Sequence, residues 1–223
     1  MSNRGLLVAS GLIIVAMMVA ACSAGGSPSA PTDPPVSAPI GATGTTFVLV
    51  PAESEARFIV NEVLNGQPKT VIGATNAVEG QIVADYANPP AVSMSVIRVD
   101  LSTLTTDNSF RNRAIRDMIL ETGNPAYQYA EFVMTSVSGL PDSVTLGQPF
   151  DFQITGNLTI HGVTREVTFD ATVTPVSETR LEGIASYATL YSDFDVTILR
   201  LPPQVASVEE QVILEMEFVA EAE

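Results

Sequence analysis

In "PFDFQITGNLTIHGVTREVTFDATV", residues 149 to 173, apolar and polar residues alternate through two runs separated by a His-Gly pair. Phe150, Phe152, Ile154, Gly156, Leu158 and Ile160 share one face of the first run. Val163, Arg165, Val167, Phe169, Ala171 and Val173 share one face of the second, with Thr164, Glu166, Thr168, Asp170 and Thr172 on the other. Successive side chains of a strand point to opposite faces, so each run is a strand with one face inward and one toward water. Gly162 permits a positive φ, which makes His161-Gly162 the turn of a β-hairpin.

The same period extends outward. "EEQVILEMEFVAE", residues 209 to 221, alternates through Val212, Leu214, Met216, Phe218 and Ala220. Further strand candidates are 46–50, 56–64, 69–73, 77–86, 91–101, 129–138 and 180–196. These are too many strands for a small open sheet. They close most simply as an up-and-down barrel, with a two-sheet sandwich as the competitor. With nine phenylalanines and no tryptophan, the core is built from Val, Ile, Leu, Ala and Phe, a mixture that favours strands. One segment departs from period two. In "DNSFRNRAIRDMILETGNP", residues 107 to 125, Phe110, Ala114, Ile115, Met118 and Ile119 recur at helical spacing, which predicts an amphipathic helix over 109–121. Asp107 to Ser109 can cap its start, and Gly123 followed by Asn124-Pro125 can stop it. The fold class is therefore all-β, an antiparallel barrel with one inserted helix acting as lid or plug.

At the N-terminus, Arg4 precedes an apolar run ending in "VAAC", residues 19 to 22. This resembles a bacterial lipobox, which implies a signal peptide over 1–21, cleavage before Cys22 and lipid attached there. The alternative is an ordinary membrane anchor, for which the run is shorter than the roughly 20 residues of a span and lacks a second basic flank. Residues 22–44 are small residues and proline, too poor in apolar surface to fold, and read as a tether to a domain over 45–223. The expectation is an exported protein held on the extracytoplasmic side, in the periplasm or at the cell surface, with membrane contact through the lipid anchor. The chain carries a net charge of −15, and −16 once Arg4 is removed with the leader, which repels nucleic acid. A homodimer is compatible with the sequence.

Catalysis finds little footing. One histidine and one cysteine cannot build a His/Cys metal cluster, and neither a G-x-S-x-G elbow nor a Gly-rich phosphate loop is present. His161 is accounted for by its turn. Arg111, Arg113 and Arg116 crowd one helix in an acidic chain. They read either as a solvated face with Arg113 and Asp117 paired, or as contacts for an anionic headgroup at a barrel mouth.

"VDLSTLTTDNSFRNRAIRDMILET", "YAEFVMTSV", "GNLTIHGVTREVTFDATV" and "VEEQVILEMEFVAE" together resemble the YceI-like family of polyisoprenoid-binding proteins from about Phe47 to Ala220. The most specific piece is the "GNLTIHGVTREVTF" hairpin, residues 156 to 169, in which the resemblance implies that His161 fixes the turn, with its ring hydrogen-bonded to nearby backbone. The resemblance implies a lipocalin-like antiparallel barrel with an inserted helix, and an exported binding protein rather than an enzyme. Its ligand would be an isoprenoid, with a polyprenyl or quinone-type tail, or a similar amphiphilic lipid, and it would need no other cofactor. Two positions depart from the family: Arg111 is followed by Asn112 where an aspartate is common, and a proline comes early, at Pro125. The alternating positions expected to line the ligand are Phe58, Val60, Phe132, Met134, Phe152, Ile154, Val167, Phe169, Met216 and Phe218. Each could equally pack a filled barrel, as in a structural or interaction module. A hydrolase or isomerase would instead show a polar cluster inside.

Overall fold

Residues 44–223 are described by the structure, a computed structural model. The predicted leader, the tether through residue 43 and Cys22 lie outside the described residues. Alternation of apolar and polar residues produces strands β1 (Thr45–Leu49), β2 (Glu55–Leu64), β3 (Gln67–Thr75), β4 (Val78–Glu79), β5 (Gln81–Ala84) and β6 (Ser93–Met94). They are followed by β7 (Ile97–Asp100), β8 (Tyr129–Ser138), β9 (Phe150–Ile160), β10 (Val163–Ser177), β11 (Arg180–Leu190) and β12 (Val205–Ala222). All twelve join one antiparallel sheet.

Strands β7 to β12 are a meander, each paired with the next. The long β12 then serves two partners along its other side. Its C-terminal end pairs with β1 and the rest with β2. The β2–β3 hairpin continues from there, and the β3–β4 run carries the chain across to β7, where Val78 pairs with Val99. Just before, Ala74 exchanges two backbone hydrogen bonds with Thr105, of 2.9 and 3.0 Å. The two ends of the sheet thus meet at this run, which curls the sheet into a lipocalin-like barrel and leaves fewer open edges.

The β9–β10 hairpin is as read from the sequence. Ile160 pairs with Val163, and both residues between them have positive φ, His161 at 50° and Gly162 at 75°, the signature of a type I′ turn. Asn65 and Gly66 repeat this device between β2 and β3. On the outer face, hydroxyls pair across strands, Thr155 with Thr168 at 2.9 Å and Thr159 with Thr164 at 2.8 Å. On the inner face Val167, Ala171 and Val173 are buried. Arg165, placed inward by period alone, turns out at the barrel end, where its Nε donates to the Asp193 carbonyl at 2.9 Å.

Several predicted strands are broken by local geometry. The 77–86 candidate divides at Gly80, whose φ is 155° and where a Cβ would stand 2.3 Å from Ile97 Cδ1. The 91–101 candidate divides into β6 and β7, and the 180–196 candidate stops at Leu190, where a tight turn over Tyr191–Phe194 leads to Asp195 at φ 53°. β12 starts at Val205, ahead of the regular alternation, and its register against β2 slips twice, by one residue between Val205 and Ser207 and by two between Val208 and Val212. Such bulges interrupt the alternation and hide the period.

The predicted helix forms as α1 (Ser109–Ala114), continued by one π-helical turn over Ile115–Ile119. The Asn108 side chain caps it by accepting from the backbone N–H of Phe110 at 2.9 Å and Arg111 at 3.1 Å. Asn112, the departure from the family pattern, accepts from the Thr106 N–H at 2.7 Å and its hydroxyl at 2.6 Å, tying α1 to the preceding loop. The left-handed residue that ends the helical segment is Glu121, at φ 49°, and not Gly123.

Candidate ligand cavity

The inward faces do not meet in the middle. They enclose a cavity of about 780 Å³ that runs the length of the barrel and is lined mostly by aliphatic and aromatic side chains. This lies within the roughly 300–1,000 Å³ typical of small-molecule sites. One end is bordered by α1 and by the 191–204 segment, through Phe110, Arg111, Ile198 and Leu201. The other is covered by Tyr86, Pro89 and Val92 and by the β8–β9 loop through Leu140 and Val144. Tyr86 is fixed there by a hydrogen bond to the Ser177 carbonyl at 3.2 Å and by stacking on Phe47.

Three phenylalanines of the wall face glycines on the neighbouring strand. Phe58 is paired with Gly73, Phe218 with Gly183, and Phe132 lies against Gly156. A Cβ at Gly73 would stand 2.1 Å from Phe58 Cε1, one at Gly183 2.7 Å from Phe218 Cζ, and one at Gly156 2.5 Å from Phe132 Cζ. The missing side chain lets each ring lie back against the sheet, as aromatic residues do over cross-strand glycines. The lumen stays open although the wall is aromatic.

Of the ten positions predicted to line a ligand, Phe58, Val60, Phe132, Met134, Phe152, Ile154, Phe169, Met216 and Phe218 lie on the cavity wall. Val167 does not. It is buried in a core cluster with Leu158, Phe194 and Val196, two of which come from the turn after β11, an element that the period of β10 gives no sign of. Phe150 is on the wall too, at the same period as Phe152. Ile198 and Leu201 come from irregular backbone, where no period marks them.

The helix arginines are not brought together. At about 100° per residue, Arg113 and Arg116 point roughly 200° and 140° away from Arg111, to the other side of the helix. Arg111 reaches the cavity, Arg113 is exposed and off the wall, and Arg116 donates to the Ser102 carbonyl at 3.4 Å. Arg111 is moreover occupied: it pairs with Glu62 at 2.7 Å and with Asp107, while Lys69 holds the other Asp107 oxygen at 2.6 Å. Glu62 and Lys69 are direct cross-strand partners, and both line the cavity with Arg111. Glu62 follows Phe58 and Val60 on the inward face of β2, so an acid in an apolar series was its sequence signal. The apolar stripe is also narrower than its spacing suggests. Ala114, Ile115 and Ile119 face the cavity, whereas Met118 is 67% exposed.

Residues 47–220 match the model of the YceI-like domain, most of the chain. The chain belongs to the YceI-like family. Two UPF0312 proteins from strains of Pseudomonas putida are 36% identical to it over 104 residues, 45% of this chain and 47% of theirs. The match to these curated relatives thus spans about half their length. Solved structures share the YceI-like fold. A polyisoprenoid binding domain from Saccharophagus degradans, implicated in plant cell wall breakdown, is 17% identical and superposes with a TM-score of 0.63, covering 81% of this chain and all of that one. BcnA from Burkholderia cenocepacia is 20% identical with a TM-score of 0.60, covering 77% of this chain and 98% of that one.

In this YceI-like barrel the hairpin histidine is held differently from the expectation that its ring bonds to backbone. Neither ring nitrogen of His161 has a hydrogen-bond partner among the described residues, and the ring packs on Tyr127 with centroids 4.3 Å apart. It does not line the cavity. Among the described residues, no group of His, Cys, Asp or Glu is placed to hold a metal ion, and no helix is long and apolar enough to cross a membrane.

Proposed function

We propose that this YceI-like protein is an exported, lipid-anchored carrier that holds an isoprenoid, with a polyprenyl or quinone-type tail, or a similar amphiphile inside its barrel. The observation that carries the reading is the long apolar cavity of about 780 Å³. A hydrocarbon tail needs no polar partner, and each methylene taken out of water contributes about 0.8 kcal/mol. The family supports the reading, as does the fold shared with a polyisoprenoid binding domain. Binding rather than catalysis is favoured because the charged groups at the cavity mouth are engaged with one another instead of converging on a reacting atom. The lipobox-like start and Cys22 support the anchor and the extracytoplasmic site. Native mass spectrometry of protein purified from its own host, followed by lipid extraction, tests the whole proposal. The expected result is a mass increment from a noncovalent amphiphile together with acylated Cys22 at the N-terminus. Protein that carries no lipid in the barrel, and takes up no prenol added to it, would refute the carrier reading.

A further inference from the structure

The cavity is apolar along its length and charged at the end that α1 covers. Glu62 is 6% exposed, a carboxylate on the inward face of β2. Its cross-strand partner is Lys69, and its oxygen accepts from the Arg111 guanidinium at 2.7 Å. Asp107 completes the set by accepting from both Arg111 and Lys69. Two cations and two carboxylates are therefore closed on one another where a ligand's head would lie. Arg200, exposed on the segment before β12, is a further cation on this wall, and the exposed acids Asp193, Asp195, Glu209 and Glu210 flank that segment in the chain.

A phosphate or pyrophosphate head arriving here meets no cation free of a carboxylate in this set. To pair with Arg111 it would have to displace Glu62 or Asp107, and displacing Glu62 leaves a buried carboxylate beside a second anion, while Arg200, exposed to water, offers only a screened contact. An uncharged oxygen faces neither cost. A hydroxyl donates to the Glu62 carboxylate, and a hydroxyl or carbonyl oxygen accepts from the remaining N–H groups of Lys69 or Arg111, with the ion pairs left in place. We infer that the Glu62–Arg111–Asp107–Lys69 set makes this cavity selective for amphiphiles with an uncharged polar head, an alcohol or a ketone-type oxygen, over those with a phosphate or pyrophosphate head. The inference rests on the carrier reading and specifies the ligand class of that same cavity.

Two probes with one tail separate the two levels. Geranylgeraniol and geranylgeranyl diphosphate are titrated into delipidated protein, below their micellar concentrations. The expected result is at least about tenfold tighter binding of the alcohol, the scale of one unfavourable charge contact in a partly buried site. Glu62→Gln keeps the size and a hydrogen bond but removes the charge. It is expected to tighten the diphosphate by about tenfold, and to weaken the alcohol by a few-fold at most, as a charged acceptor of its hydroxyl becomes a neutral one. Asp107→Asn, at an exposed position and so tolerant of substitution, is expected to shift the diphosphate in the same direction. Wild-type protein that binds the diphosphate as tightly as the alcohol overturns the head selectivity while leaving the carrier reading intact. A diphosphate affinity unchanged in both variants overturns the role of the ion-pair set. Failure of both probes to bind wild-type protein overturns the carrier reading, and this inference with it.

Discussion

Gly73 shows how much a single position without a side chain decides. The atoms that crowd its missing Cβ belong to the Phe58 ring, whereas at Gly156 and Gly183 neighbouring backbone oxygens crowd as well. An alanine at 73 can be accommodated only if the ring swings away from the sheet, and the side it can swing toward is the lumen. Gly73→Ala is expected to cost about 1–3 kcal/mol in urea denaturation, the range for overpacking a fitted contact, and to weaken binding of a long-chain prenol. Gly123→Ala is the control, because nothing lies within 4 Å of its missing Cβ and its φ is ordinary. It should leave both measurements unchanged. The pairing of these phenylalanines with glycines was not legible in the sequence. Phe58 and Gly73 are fifteen positions apart, and only the Asn65-Gly66 turn sets the register that opposes them.

The element that joins the cavity to its surroundings is α1. It is a short helix carrying a π turn, and an isolated helix of this length has no stability of its own. Its place comes from the apolar contacts of Phe110, Ala114, Ile115 and Ile119 with the cavity and from the clasp of Arg111, Asp107, Lys69 and Glu62. The Lys69 ammonium, hydrogen-bonded to Asp107 and reinforced by the charge of Arg111, holds the Asp107 carboxyl below its ordinary 3.8. A carboxylate whose folded-state pKa is depressed stabilises the folded state fully above its unfolded value. That contribution is lost as the pH falls through the lower folded value. Protection of α1 amides against hydrogen exchange, referenced to the core strands, is therefore expected to hold down to about pH 4 and to fall below it. In Asp107→Asn the protection should be lower at neutral pH and less dependent on acid. Equal acid dependence in the variant would place the titrating group elsewhere.

At the scale of the whole molecule the question is whether the barrel is a container or a core. Ala185 lies on the cavity wall, opposite Met216 on β12. A larger side chain there enters free space if the lumen is open, and meets packed neighbours if it is filled. Ala185→Phe is expected to leave the unfolding free energy within about 1.5 kcal/mol of the wild type, as tolerated substitutions do, and to abolish uptake of a prenol. A loss of stability well beyond that, with no ligand effect, would mark the interior as core and the protein as an interaction module.

The amino-acid sequence by itself determined the local structure of this protein and the polarity of its surfaces. Period two assigned strands and their inward faces, so nine of the ten proposed lining positions lie on the cavity wall. His161-Gly162 marked its hairpin because a type I′ turn needs positive φ at both positions. These features depend on neighbours within a few residues along the chain. Tertiary structure alone decided the rest. The inward strand faces enclose a space instead of a packed core, Val167 is covered by Phe194 and Val196, and Arg111 is matched to Glu62 across 49 positions. Each of these depends on which distant strand or loop lies opposite, and side-chain period carries no information about that. It is set by the curl of the sheet and by where its two ends meet.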